Sequence, residues 1–362
     1  MPKEFTYADA GVDRKLRAES KKGLKVFEET YEFLPYGNPT VLPYNKIFPI
    51  GDNGMYLDHV HEGIGTKVLL AQLADKYDTI GQDGVAMVVN DVVRSGANPF
   101  SFTENIDIQQ SDPHLLNELN KGLLSGLREA KVAKVGGETA DVPSLIKNIT
   151  GKERKGFHID CSCVGYLFEE DIIWGGDLHP GDAVIGLRSS GLHSNGISMV
   201  REVLFKAWGG KYNPFVRLDG FDRELVYEAL KPTRIYVKPI LRVAHEGWLK
   251  AAVHITGDAY LKFEKLIPFN KGIGFEFYNF KPQPIFQLIQ DTAQEVKGEV
   301  SNEEMLKTFN MGWGFTGIVK EDIKDNVIDT LEKEGVEADQ IGRVTDTENI
   351  IVVYKKKKIL LK

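Results

Sequence analysis

Cysteine is nearly absent from this chain. The two present, Cys161 and Cys163, are one residue apart, so on a strand they share a face, cannot form a disulfide framework and read as core residues. Too few cysteines and histidines lie near them for a zinc centre. Long apolar runs are missing too. No stretch approaches the roughly 18 consecutive apolar residues of a membrane helix, and MPKEFTYADAGVDRKL at the N-terminus holds no signal-peptide core. A cytoplasmic protein with no membrane partner is expected. Positive charge is also short, with 45 Lys and Arg against 52 Asp and Glu and a formal net charge of −7. That balance argues against nucleic acid as a partner, because a phosphate backbone calls for a basic face. Neither a nucleophile elbow nor an H-E-x-x-H helix occurs, which weakens hydrolase readings.

The 362 residues suffice for two domains. The polar, turn-rich EEDIIWGGDLHPGD marks a boundary between residues 1–172 and 173–362. Both halves mix strands and helices without strict βαβ alternation, which predicts an α+β fold of two mixed-sheet domains. A helical pattern runs over Tyr7–Leu34, with Arg14, Lys15, Lys21, Lys22 and Lys25 read as solvating it. A short strand is expected at Lys46–Ile50, and an amphipathic helix at Leu115–Ala130 with leucines 116, 119, 123 and 127 in helical spacing. The run Lys355–Lys358 reads as a solvated tail.

The chain is organised around Gly186–Val200, GLRSSGLHSNGISMV. A buried strand leads in and a helix leads out, and the small residues Ser189 to Gly196 lie between. Such a turn lets backbone N–H groups and hydroxyls approach an anion at a helix N-terminus, although Ser, Asn and Gly also make ordinary turns. Carboxylates collect beside glycines at Glu62, Asp83, Asp91, Glu138 and Asp141. The pattern places them at element ends, where a hard cation shared with nucleotide phosphates is held. Lys67 closes GIGTK, a motif too short for a P-loop but able to offer a cation to a phosphate. His193 and His254 stand in polar contexts, as scaffold groups or as proton carriers.

Taken in order, TYADAGVD, GIGTK, DTIGQDGVAMVVND, VGGETADVP, SSGLHSNG, KPTRIYVK, HITG and FNMGWG resemble the aminoimidazole ribonucleotide synthetase (phosphoribosylformylglycinamidine cyclo-ligase) family from about Tyr7 to Val353. The resemblance implies two α+β domains, a homodimer through N-terminal-domain strands, and ATP with Mg2+. It also implies closure of formylglycinamidine ribonucleotide to aminoimidazole ribonucleotide through a phosphorylated formamide oxygen. On this reading Gly65, Thr66, Lys67, Asp83 and Asn90 contact ATP. Ser190, Gly191, His193, Ser194 and Asn195 hold the substrate's ribose phosphate or an ATP phosphate, with Glu138 and Thr139 also toward the substrate. Asp91 and Glu62 take the metal, and Lys67, His193 and His254 are the catalytic candidates.

Three departures from the family pattern stand out. HEGIGTK puts Glu62 where the family commonly has aspartate, a glycine-rich segment is replaced by YGNPTVLPYNKIFPIGDNG, and HITGDAY adds Asp258 as a further candidate metal ligand. The competing readings are a related ATP-dependent kinase or synthetase of the same superfamily, and a non-catalytic nucleotide-binding paralogue.

Overall fold

The computed structural model describes residues 4–151 and 154–362. One mixed sheet is drawn wholly from the first half: β1 (Thr40–Val41), β2 (Lys46–Pro49), β3 (Met55–Gly63), β4 (Asn98–Ile108), β5 (Ala133–Lys134), β6 (Glu138–Asp141) and β7 (Phe157–Phe168). Its order is β1-β2-β3-β7-β4-β5, with β6 also paired to β4. A second mixed sheet comes from β8 (Ala183–Arg188), β9 (Ala251–His254), β10 (Gly274–Phe277), β11 (Trp313–Val319), β12 (Ala338–Thr345), β13 (Ile350–Tyr354) and β14 (Lys357–Leu360). It runs β14-β13-β10-β12-β8-β11-β9. The α+β expectation therefore holds. No helix among the described residues is long and apolar enough to cross a membrane.

Helix α1 (Arg14–Ser20) is N-capped by Asp13, whose carboxylate accepts from the Lys15 and Leu16 N–H groups. It passes into 3-10 turns over Lys21–Phe33 that bury nothing, so the helical pattern of this segment is realised mostly as the tighter form. The first half continues with α2 (Lys67–Ala74), α3 (Asp78–Val93) and α4 (Pro113–Ala130). In α4 the Asp112 cap and Pro113 in the first turn start the helix. The buried stripe is Leu115, Leu119, Leu123 and Leu127, with Leu116 at its margin.

Alternation decides the face of β7, which buries Phe157, Ile159, Cys161, Cys163 and Leu167. Both cysteines are free, as their spacing implied. Helix α3 lies on this face against β3, β7 and α4. Glycines make the close approach possible: a Cβ at Gly122 would stand 1.8 Å from the Asp78 carbonyl oxygen, and one at Gly84 would stand 2.8 Å from Cys161 Sγ.

In the second half, α5 (Ile197–Leu204), α6 (Leu225–Ala229), α7 (Val237–Ala244), α8 (Pro284–Val296), α9 (Asn302–Thr308) and α10 (Lys324–Lys333) surround the sheet. The central strand β8 is buried on both faces. Ala183, Ile185 and Leu187 turn to the cluster containing Ile240, Val243, Val327 and Leu331, and Val184 to the larger core.

Two expectations change here. Lys355 and Lys356 form a hairpin turn with positive φ of 48° and 61°, and Lys357 and Lys358 pair in β14. The lysine run is therefore part of the sheet, not a loose tail. Asp83 does not stand at an element end either, since it is buried inside α3, whereas Asp91 is buried in the last turn of that helix; these placements determine the seam described next.

Candidate active site

Helix α3 joins the two halves. Positions seven apart repeat on one helical face, and Asp83 and Asn90 both meet the segment Lys231–Tyr236. Asp83 Oδ1 accepts from the Thr233 N–H at 2.8 Å and its hydroxyl at 2.6 Å. Asn90 donates to the Arg234 carbonyl and accepts from the Tyr236 N–H, each at 2.8 Å. Lys67 Nζ sits 2.7 Å from Asp83 Oδ2, both side chains fully buried, and donates to the Lys231 carbonyl at 2.8 Å. Burial pulls the Lys67 ammonium below the ordinary lysine range while Asp83 opposes that shift. Lys67, Asp83 and Asn90, expected on ATP, are thus fasteners between the halves. The motif KPTRIYVK is their counterpart.

A cleft of about 500 Å³ opens beside this seam. Its first-half wall is Glu62 to Gly65 at the end of β3 with Met87, Asp91 and Arg94 of α3 and its end. Its second-half wall is Ser194 to Gly196, Thr256 to Asp258, and Leu261, Lys262 and Lys265. Tyr7, Arg17 and Lys21 from the N-terminal segment lie along it. Lys21 therefore faces the cleft, not only solvent, and Arg14 pairs with Glu304 at 3.0 Å and Asp258 at 3.4 Å.

Asp91 is the electrostatic centre. Its Oδ1 is 2.7 Å from His254 Nδ1 and 3.0 Å from Arg94 Nη1. Although burial alone would push it up, Arg94 and the His254 hydrogen bond hold this carboxyl well below the usual carboxylate range. With Asp91 ionised, Nδ1 of His254 carries the proton as the donor. Nε2 then lacks one and is buried without a partner among the described residues. Burial keeps His254 below the ordinary imidazole range despite Asp91. Glu62 is raised, first by burial and then by the Asp91 charge. Lys262, which donates to the His254 carbonyl at 3.1 Å and to the Thr256 hydroxyl, is lowered by burial to about 8.

The small-residue turn is built as expected but shows only one end to the cleft. Ser190 Oγ donates to the Pro232 carbonyl, Asn310 donates to the Gly191 carbonyl at 2.8 Å, and the Ser190 N–H donates to His193 Nε2 at 3.3 Å. These bonds turn Ser190, Gly191 and His193 inward. His193 is fully buried, at a positive φ of 59°, and burial lowers its pKa. Ser194 and Asn195 face the cleft, and the Asn195 amide Nδ2 is buried without a hydrogen-bond partner among the described residues. Gly196 caps α5 at φ 69°, where a Cβ would strike the Phe309 ring at 2.2 Å. Thr66 Oγ1 lies 3.2 Å from Ser198 Oγ, tying GIGTK to the first turn of α5.

Other expected site residues lie apart or are already paired. Glu138 and Thr139 sit exposed on β6, outside the cleft lining, with the Glu138 carboxylate accepting from the Thr139 N–H at 2.9 Å. Asp258 pairs with Arg14 and Arg17, each at 3.4 Å. No three His, Cys, Asp or Glu side chains among the described residues gather as a metal site. The expected magnesium set of Asp91, Glu62 and Asp258 is thus not assembled: one member is matched by Arg94 and His254 and another by two arginines. Arg94, Lys262 and Lys265 were missed in the sequence because none lies in a motif. Their only signal was charge beside apolar residues, Arg94 directly after the apolar end of α3 and Lys262 and Lys265 among the apolar residues of Ala259–Phe269.

Comparison with known proteins agrees with this architecture. Residues 47–167 match the model for "AIR synthase related protein, N-terminal domain" and residues 179–355 that for the C-terminal domain. The chain belongs to the AIR synthase related family. A Methanobrevibacter smithii protein named phosphoribosylformylglycinamidine cyclo-ligase is 34% identical over 350 residues, 96% of each chain. One of the same name from Bacillus pumilus is 36% identical over 359 residues, covering 95% of this chain and 96% of its own. Among solved structures, a chain of a HypE–HypF complex superposes with a TM-score of 0.59 at 19% identity, over 84% of this chain and 90% of that one. T. maritima PurL complexed with ADP gives 0.58 at 11%, over 92% of this chain and 47% of that one. At these identities the structures speak for the fold alone.

Proposed function

We propose that this chain is an ATP-dependent cyclo-ligase that closes the imidazole ring of aminoimidazole ribonucleotide in purine biosynthesis. The observation that carries the reading is similarity over nearly the full length to proteins bearing that name. The γ-phosphoryl group of ATP passes to the formamide oxygen of formylglycinamidine ribonucleotide and ADP leaves. An amidine nitrogen then attacks the activated carbon, the C–O bond to phosphate breaks, and inorganic phosphate departs as the ring closes.

Such a reaction asks for alignment and neutralised charge more than for a protein nucleophile. The cleft offers five cationic side chains, Arg17, Lys21, Arg94, Lys262 and Lys265, for the phosphate groups. Ser194 and Asn195 are suited to the ribose phosphate, and Glu62, whose carboxyl is raised by burial and the nearby Asp91 charge, to the amidine. His254 acts by positioning Asp91, to which its Nδ1 is hydrogen-bonded. Of the ligands expected for magnesium, Asp91 is engaged by Arg94 and His254 and Asp258 by Arg14 and Arg17.

A homodimer through the first sheet fits the fact that the β7 face carrying His158, Asp160, Ser162 and Tyr166 is only half-buried in one chain. Two free cysteines fit a cytoplasmic setting. The deciding experiment incubates purified protein with ATP and formylglycinamidine ribonucleotide and follows ADP and aminoimidazole product together, with light scattering for the oligomeric state. One ADP per ring closed is expected. ADP without ring product would assign a related kinase instead, and nucleotide binding without turnover a non-catalytic paralogue.

A further inference from the structure

We infer that the cleft binds the phosphates of its nucleotide directly through Arg94 and Lys262, without a divalent cation bridging them to Asp91. This rests on the assignment of the cleft as the ATP site. The Oδ1 side of Asp91, where a cation would dock, is taken by a guanidinium and an imidazole, since Arg94 Nη1 stands 3.0 Å and His254 Nδ1 2.7 Å from that oxygen, with the Arg94 and Asp91 side chains 10% and 4% exposed.

Neighbouring groups hold Arg94 in place. Its Nε donates to Asn45 Oδ1 at 2.6 Å, Nη2 reaches the Tyr44 carbonyl at 3.4 Å, and the guanidinium lies 5.3 Å from the centre of the Tyr44 ring. A guanidinium has five N–H donors, so three contacts leave two uncommitted in a residue that lines the cleft. Lys262 has three donors and spends two on His254 and Thr256. One remains. Lys265 and Lys21 extend the positive charge along the cleft. A magnesium ion at Asp91 would sit against the fixed charge of Arg94, whereas phosphate oxygens in the cleft have three uncommitted N–H groups of Arg94 and Lys262 to meet. The donor set suits planar, charge-assisted recognition of phosphate.

The test is calorimetric titration of the full chain with ADP, and separately with inorganic pyrophosphate, in EDTA and in excess magnesium. Wild-type affinity for ADP should differ by less than about threefold between the two conditions. Arg94→Leu should lose about 10- to 100-fold in EDTA, the scale of a lost charge-assisted contact, and should recover part of that with magnesium once Asp91 is released. Lys262→Met should weaken binding in both conditions.

A wild-type loss of tenfold or more on adding EDTA overturns the inference, and that comparison needs no variant. So does Arg94→Leu binding like wild type in EDTA. Failure of ADP with retained, Arg94-dependent pyrophosphate binding in EDTA removes the ATP-site reading but keeps the cationic phosphate site. Failure of both ligands removes both.

Discussion

The pair Lys67–Asp83 offers the sharpest test of whether GIGTK serves chemistry or architecture. Both side chains are fully buried with Nζ and Oδ2 2.7 Å apart, and both are anchored to the opposite half through Lys231 and Thr233. Lys67→Met keeps the chain length but leaves an uncompensated carboxylate in the seam, and breaking a buried pair on one side costs about 3–5 kcal/mol. For a chain of 362 residues, an unfolding entropy of about 2.1 cal/mol/K per residue converts this to a fall in Tm of about 4–7 °C. The double variant Lys67→Met/Asp83→Asn removes the orphaned charge while an amide oxygen still accepts from Thr233. It should therefore be destabilised by about 2 kcal/mol less than the sum of the singles. Differential scanning calorimetry of the four proteins measures the cycle, and ADP titration below the transition measures binding, which should change by less than about threefold. Lys67→Met with an unshifted Tm and a tenfold loss of ADP affinity would refute the reasoning and return Lys67 to the phosphate.

Further outcomes follow from the same geometry. Asp58, 1% exposed, is pushed up from 3.8 to about 6 by burial, against the opposing pull of Ser95, Arg94 and Asn45. Its folded form holds the proton more tightly than the unfolded chain does. Its stabilisation is therefore present below about pH 4 and lost as pH rises through about 6, a change of up to about 3 kcal/mol. Asp58→Asn should gain on wild type by about 1–3 kcal/mol in urea unfolding between pH 4 and pH 7, and a difference constant with pH would contradict the assignment. Gly122→Ala drives a Cβ to 1.8 Å from the Asp78 carbonyl oxygen and should cost about 1–3 kcal/mol by overpacking, read as a lower urea midpoint. Asn195→Ala removes a cleft-facing donor that has no protein partner among the described residues. It should raise KM for the ribonucleotide about 2- to 10-fold with kcat little changed; an unchanged KM would take Asn195 out of the site.

Much of the fold was legible in the residues. The alternation in HIDCSCVGYLF predicted one buried face, and β7 buries both cysteines. Leucine spacing predicted α4, within a shift that puts Leu115 in the stripe and Leu116 at its edge. The strand–turn–helix of Gly186–Val200 is present as β8, a tight turn and α5. The reading of acidic residues at element ends failed at Asp83 because α3 begins at Asp78 and carries it inside, while Asp91 does fall in the last turn of that helix. DTIGQDG looks turn-like by composition, but burial against β7 and α4 overrides the glycine cost. Its glycines serve instead as points of close contact.

Local pattern by itself determined where most strands and helices lie, and the ordered motifs determined the family, because periodicity and turn chemistry act between residues near in sequence. The partners of those motifs were decided by tertiary structure alone. Whether Lys67 met a nucleotide or Asp83, whether Asp91 met a metal or Arg94 and His254, and which end of Ser189–Gly196 faced open space depended on how α3 docks against residues 231–236 and β9. A buried charge takes the nearest compensating group that the packed chain supplies, and that neighbour lies 163 positions away for His254 and Asp91.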